Sequence, residues 1–308
     1  MGSIKALTLS VAIFGSLVSG AFAADMPAPP PLMPAPVLAP AAAALDTSGW
    51  YLRGDLGIGM TSTPKYSVDL LDYSAASVPV GGTPAGIFGP GMGDQMHIGF
   101  GAGYAINSWF RTDATLEYRG KANISAISNR YYVACAGGPP CLPGATHQVS
   151  DQYQGHTSSV VGLWNAHTDL GTWSGVTPYV GVGVGVARNS LSNVNYNGVD
   201  ATYGGGASNL SHNTFLNKST TSFAWAFMTG LSYDVTANTK LELGYRYLNM
   251  GKAATGVGTC VTTSPCFSSP EGPFKVGKMS SQDFHIGMRW MLGAPAYAAN
   301  PEPLVRKF

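Results

Sequence analysis

The sequence predicts an all-β fold: an eight-stranded antiparallel transmembrane β-barrel with short periplasmic turns and four long external loops. Three observations lead there. First, apolar and polar residues alternate at period two in segment after segment, with no helical pattern between them. Second, only 11% of the 308 residues are charged, against about 25% in a soluble globular chain, so charges are too few to cover a soluble surface. Third, the gaps between alternating segments run long and short in strict order: 61–93, 107–108, 120–158, 171–176, 188–221, 236–239 and 250–280. A barrel threaded through an outer membrane has this rhythm, and a soluble sandwich has no reason for it. The mean hydropathy of +0.08 is far below that of a helical membrane protein. Lys+Arg 17 against Asp+Glu 16 gives no basis for a nucleic-acid partner.

Residues 1–23 read as a secretory signal, with Lys5 before an apolar run from Ala6 to Val18 and an A-x-A site at Ala21-Phe22-Ala23. That run is shorter than the ~20 residues needed to span a bilayer. No Cys follows the cleavage site, which removes a lipid anchor there. Residues 24–47 are Pro/Ala-rich and suit an extended periplasmic tether. The barrel is expected over 48–293 and a tail over 294–308.

The first strand, Gly49 to Met60, sets Trp50, Leu52, Leu56 and Ile58 against Tyr51, Arg53 and Asp55. The second, near Asp94 to Ile106, sets Ile98, Phe100 and Tyr104 outward and His97, Gly99, Gly101 and Gly103 inward. Asn107-Ser108 is a hairpin turn into the clearest strand, Trp109 to Arg119. There Phe110, Thr112, Ala114, Leu116 and Tyr118 face one way and Arg111, Asp113, Thr115, Glu117 and Arg119 the other. Ser159 to Leu170 sets Val160 and Trp164 against Asn165, His167 and Asp169. Thr177 to Ala187 sets alternate valines against Tyr179, Gly181, Gly183 and Gly185. Ser222 to Val235 sets Phe223, Trp225, Phe227, Leu231 and Tyr233 against Ala224, Ala226, Gly230 and Asp234. Lys240 to Asn249 sets Leu241, Leu243, Tyr245 and Tyr247 against Glu242, Gly244 and Arg246. Ser281 to Leu292 closes the set, with Phe284, Ile286, Met288 and Trp290 opposite Asp283, His285, Gly287 and Arg289.

In hydrocarbon a sheet must close on itself, with its apolar face outward and its polar face in the lumen. Aromatic residues near strand ends, Trp50, Trp109, Tyr118, Trp173, Tyr233 and Trp290, suit interfacial girdles. The inward parity collects a lumen charge network of Arg53, Asp55, Arg111, Asp113, Glu117, Arg119, Asp169, Asp234, Glu242, Arg246, Asp283 and Arg289. These are five Arg and seven carboxylates, an excess of two negative charges that His97, His167 or His285 could offset if protonated.

Cys135/Cys141 and Cys260/Cys266 are equally spaced pairs inside expected loops. In an oxidising periplasm disulfides are the default, and pairing within each loop is favoured by the turn-forming residues between. Neither pair has the spacing of a structural zinc site. Gly181-x-Gly183-x-Gly185 is no dinucleotide fingerprint, since the spacing is wrong and no helix follows. His147, His156 and His212 are scattered loop histidines. No catalytic set, cofactor site or metal site is read.

Gly49-Trp-Tyr-Leu-Arg-Gly-Asp-Leu-Gly57, Thr177-Pro-Tyr-Val-Gly-Val-Gly-Val-Gly-Val-Ala187 and Leu241-Glu-Leu-Gly-Tyr-Arg-Tyr247 resemble the alphaproteobacterial outer-membrane β-barrel family of Omp25/Omp31-type surface proteins. The resemblance covers the strands from about 48 to 292 and little of the long loops. It implies a structural, surface-exposed protein of the cell outer membrane, with haemin binding in a few members. His285-x-Gly287-x-x-Trp290-x-Leu292 resembles a barrel-assembly signal, with the terminal Phe308 as a rival site. The expected partners are outer-membrane lipid and lipopolysaccharide, the barrel-assembly machinery and a host-surface ligand for the loops. The alternative is a narrow solute pore or a haemin-binding protein. Eight strands leave an interior that side chains fill, which disfavours a general porin.

Overall fold

A computed structural model of the protein describes residues 49–68, 77–79, 86–136, 142–202, 209–260 and 272–292. The signal, the tether and the tail with Phe308 lie outside the described residues. Eight long strands carry the architecture: β1 (Gly49–Thr61), β2 (Gln95–Ala105), β3 (Phe110–Ala136), β4 (Leu142–Asp169), β5 (Val176–Thr202), β6 (Lys218–Asp234), β7 (Thr239–Ala254) and β8 (Phe274–Met291). Each pairs antiparallel with its sequence neighbours. The ladder closes where β1 pairs β8, with Arg53 opposite Arg289. The ring therefore has no free edge, as hydrocarbon demands.

Three tight turns join β2–β3, β4–β5 and β6–β7. In the first, Asn107 Oδ1 accepts the amides of Trp109 and Phe110 at 3.0 and 2.7 Å. In the second, Ser174 and Gly175 both have positive φ (51° and 80°), the conformation that a two-residue hairpin turn requires, between the reciprocal bonds of Trp173 and Val176. In the third, Thr236 and Thr239 exchange backbone bonds.

The faces follow the alternation. Phe100, Leu116, Trp164 and Phe223 are 62–65% exposed on the outer surface, which lipid covers, while Tyr51, Arg111, Arg119 and Asp283 are buried inside. Trp50, Trp109, Trp173, Tyr233 and Trp290 are exposed at the end that carries the tight turns.

The long gaps differ from the expectation. The strands continue through much of them as hairpins that build a second storey above the membrane. Asn209–Phe215 pairs back onto β5, Gly86–Met92 onto β3 and Tyr66–Val68 onto β8. The pattern at period two hides this because irregularities reverse it. On β3 the register shifts between Arg119 and Ala122: below it the even residues Leu116 and Tyr118 face out, and above it the odd residues Lys121, Asn123 and Ser125 do. β5 reverses around Asn193, which sits at φ 51°, and β7 around Gly251 at φ 72°. One extra residue moves a whole side-chain set to the other face.

Polarity reverses at the same level. Above it the outside is polar and the inside holds an apolar core of Ile124, Tyr153, Leu191, Tyr196, Phe215, Leu248, Met250, Phe274 and Met279. Tyr153 meets Tyr196 and Phe274 with ring centroids at 5.2 and 5.3 Å, and Tyr66 meets Phe274 at 5.3 Å. The buried Tyr66 hydroxyl donates to the Gly91 carbonyl at 2.7 Å, and burial pushes its pKa up to about 12.

Candidate functional site

The inward residues form two ionic groups stacked along the barrel. Nearer the tight turns, Arg53 meets Asp55 at 2.8 Å, Asp113 at 3.2 Å and Glu242 at 3.7 Å. Arg111 meets Asp169 at 3.3 Å and Glu242 at 3.4 Å, and Arg289 meets Glu242 at 3.3 Å. Tyr179 and Tyr51 lie under the Arg111 and Arg289 guanidiniums at 4.9 and 5.4 Å. Asp113 also accepts from the Tyr51 hydroxyl at 2.8 Å and the Asn165 amide at 2.7 Å. The second group is a closed ring. Arg119 grips both oxygens of Asp283 at 2.8 Å and reaches Glu117 at 3.0 Å. Arg246 bridges the same two carboxylates, with its Nε 2.9 Å from Asp283. Bidentate pairing in a dry interior is the arrangement that compensates two desolvated charges.

The ring is neutral, two Arg against Glu117 and Asp283. The other group sets Arg53, Arg111 and Arg289 against Asp55, Asp113, Asp169 and Glu242. Asp234 departs from the expected network. It has the inward parity but lies at the end of β6, where it is exposed and ion-paired across the turn with Lys240. Parity assigns a face and not a depth, and the strand has left the lumen by that residue. Without Asp234 the negative excess falls from two charges to one.

His97, His167 and His285 are all buried inside. His167 Nε2 is 3.3 Å from Asp113. The inward glycines make room for these rings: a Cβ at Gly181 would lie 2.6 Å from His167 Nδ1, and one at Gly244 would overlap His285. His97, Glu117 and Asp283 bring possible ligand atoms within 4.8 Å of one another. Both carboxylates already hold two guanidiniums, whose charge opposes a divalent cation there, so the set is ion-pairing machinery. Gln95 and Ser281, which complete the coordination of Arg119 at 3.3 and 2.8 Å, were not singled out in the sequence because neither is charged or apolar.

The loop histidines are not brought together. His212 pairs with Asn197 at 2.7 Å, His156 is half-buried on β4, and the His147 side chain lies outside the described residues. Cys141 and Cys266 lie outside them too, as do the side chains of Cys135 and Cys260, whose backbones sit opposite Pro143 and Asn213.

The sequence matches the profile of the outer membrane protein beta-barrel domain over residues 34–264. An uncharacterized Brucella abortus protein is 30% identical over 270 residues, covering 80% of this chain and 82% of the relative. Outer membrane protein PagN of Salmonella typhimurium is 27% identical over 228 residues, covering 71% and 81%. The outer membrane protein OprG of Pseudomonas aeruginosa is 12% identical in its crystal structure, covering 80% and 98%, with a TM-score of 0.41. A closed eight-stranded ring with an apolar exterior and this match over most of its length place the chain in the outer membrane, as a member of the outer membrane protein beta-barrel domain family.

Proposed function

We propose that the protein is a sealed, non-enzymatic barrel that anchors a surface-exposed platform of β-hairpins for contact with host molecules or other cells. The observation that carries this reading is the filled interior. Ion pairs cross the lower lumen, and an apolar core fills the upper one. Both obstruct a path for solute, which weighs against the narrow-pore alternative. The upper hairpins also present apolar side chains to solvent, with Leu210 72%, Leu216 56% and Phe88 55% exposed. Apolar groups held outward on a polar surface favour contact with a partner. Intact cells displaying the full chain should adhere to host-cell surfaces more than cells displaying a barrel whose β3–β4 and β5–β6 hairpins are trimmed at the membrane level. Equal adherence would reject the contact role. A haemin titration of the purified barrel tests the remaining alternative, and saturable 1:1 binding would favour it.

A further inference from the structure

We propose that the upper storey holds a binding site for a small aromatic acid, in a cleft between two strands that no ladder joins among the described residues. The β1–β2 ladder ends where Gly59 lies opposite Gln95, and the Thr61 amide donates to Asp94 Oδ1 at 3.3 Å. Above that level the two chains part. Tyr66–Val68 turns to β8, with Val68 opposite Phe274, and Gly86–Met92 turns to β3, with Phe88 opposite Ile127. Proline on both chains disfavours a ladder between them. Pro90 has no amide hydrogen to give, it follows Gly89 at φ 53°, and the register slips between Phe88 and Gly91. Pro64 precedes the other strand. The Tyr66 hydroxyl, donating to the Gly91 carbonyl at 2.7 Å, ties the seam at its base.

The cleft between them measures about 360 Å³, within the range of small-ligand pockets. Its walls include Pro64, Ile87 and Pro90, and its floor is formed by the buried Tyr66, Tyr153 and Ser128. The floor is built before any ligand arrives, because Tyr66 and Tyr153 both pack on Phe274 with ring centroids at 5.3 Å. Aromatic and proline faces favour a flat ring between them. Polar groups fix its orientation. Ser128 gives its hydroxyl proton to Asp151 Oδ2 at 3.3 Å and Tyr66 gives its own to Gly91, which leaves both hydroxyl oxygens as acceptors at the floor. At the mouth stands Lys65, which is exposed and is the one cation among the described lining residues. Its carbonyl accepts the Gly277 amide at 2.7 Å, which pins the backbone that carries the ammonium. A ligand that meets both ends has a carboxylate for Lys65 and, across an aromatic ring, an O–H or N–H for the floor. The site goes beyond the contact role and does not depend on it, since adherence can fail with this binding intact.

The test titrates the detergent-folded mature protein by calorimetry with three ligands. These are 4-hydroxyphenylacetate, phenylacetate, which lacks the donor for the floor, and tyramine, which replaces the acid by a cation. The parent should bind the first saturably at one site and prefer it over each of the others by about fivefold or more, as one lost hydrogen bond or ion pair implies. Lys65→Gln should erase the preference over tyramine and keep the preference over phenylacetate. Val68 also lines the cleft, so Val68→Trp should fill it and abolish binding, with folding checked by gel migration before and after boiling. If Val68→Trp does not fold, the exposed Lys65→Gln and the three ligands decide. Absence of saturable binding to the parent, or equal affinity for the three ligands, overturns the proposal. Binding that Lys65→Gln or a folded Val68→Trp leaves unchanged also overturns it, and places the ligand elsewhere on the barrel.

Discussion

Arg119 is fully buried and holds Asp283, Glu117, Ser281 and Gln95 at once. Arg119→Ala leaves two carboxylates to Arg246 alone and should cost about 3–5 kcal/mol, the penalty for stranding a buried charge, read as a lower urea midpoint of the lipid-folded barrel. Its near neighbour Leu116 points the other way and is 62% exposed to the membrane. Leu116→Arg should therefore impair insertion by ~2–4 kcal/mol while leaving the ion pairs intact. If Leu116→Arg and Glu117→Leu both fold into bilayers as well as the parent, the two faces of β3 are assigned the wrong way round. Asp234→Asn should change stability by less than about 0.5 kcal/mol, since Asp234 is exposed at the rim and its pair with the half-buried Lys240 lies outside the lumen.

At the scale of elements, legibility tracks the contrast between lipid and lumen. Where Leu116 faces hydrocarbon and Glu117 the interior, the sequence declares the strand, and both the order of the eight strands and most of the inward charges are readable from it. Past the irregularities the contrast is lost. Lys121, Asn123 and Ser125 face water while Ala122, Ile124 and Ala126 face the core, a soluble-protein pattern in reversed phase that reads as loop. The upper core was illegible for another reason: Tyr66, Tyr153, Tyr196, Phe215 and Phe274 come from four separate gaps, and only pairing brings them together. Gly251 marks one reversal at a positive φ, and a Cβ there would press on Ser222 and the Phe223 carbonyl. Gly251→Val should cost about 1–3 kcal/mol in thermal or urea unfolding. At the hairpin ends, the expected disulfides are tested by proteolysis of the unreduced protein. Linked peptides joining Cys135 to Cys141 and Cys260 to Cys266 are expected, and a dominant cross-link between the two pairs would mean the hairpins are stapled to each other.

At the scale of the whole molecule, solvent dictates two opposite constructions in one ring of strands. Within the membrane the chain is apolar outside and ionic inside, and above it the order inverts. Eight strands enclose so little space that side chains fill both storeys. The β-bulges that exchange the faces mark the boundary between them. The most direct test of the resulting sealed barrel is single-channel recording in planar lipid bilayers. The parent is expected to insert without stepwise conductance at either polarity. Discrete, long-lived openings whose ion selectivity changes on Arg119→Ala or Asp283→Ala would contradict the account, because the ions would then be passing through the lumen that those residues close.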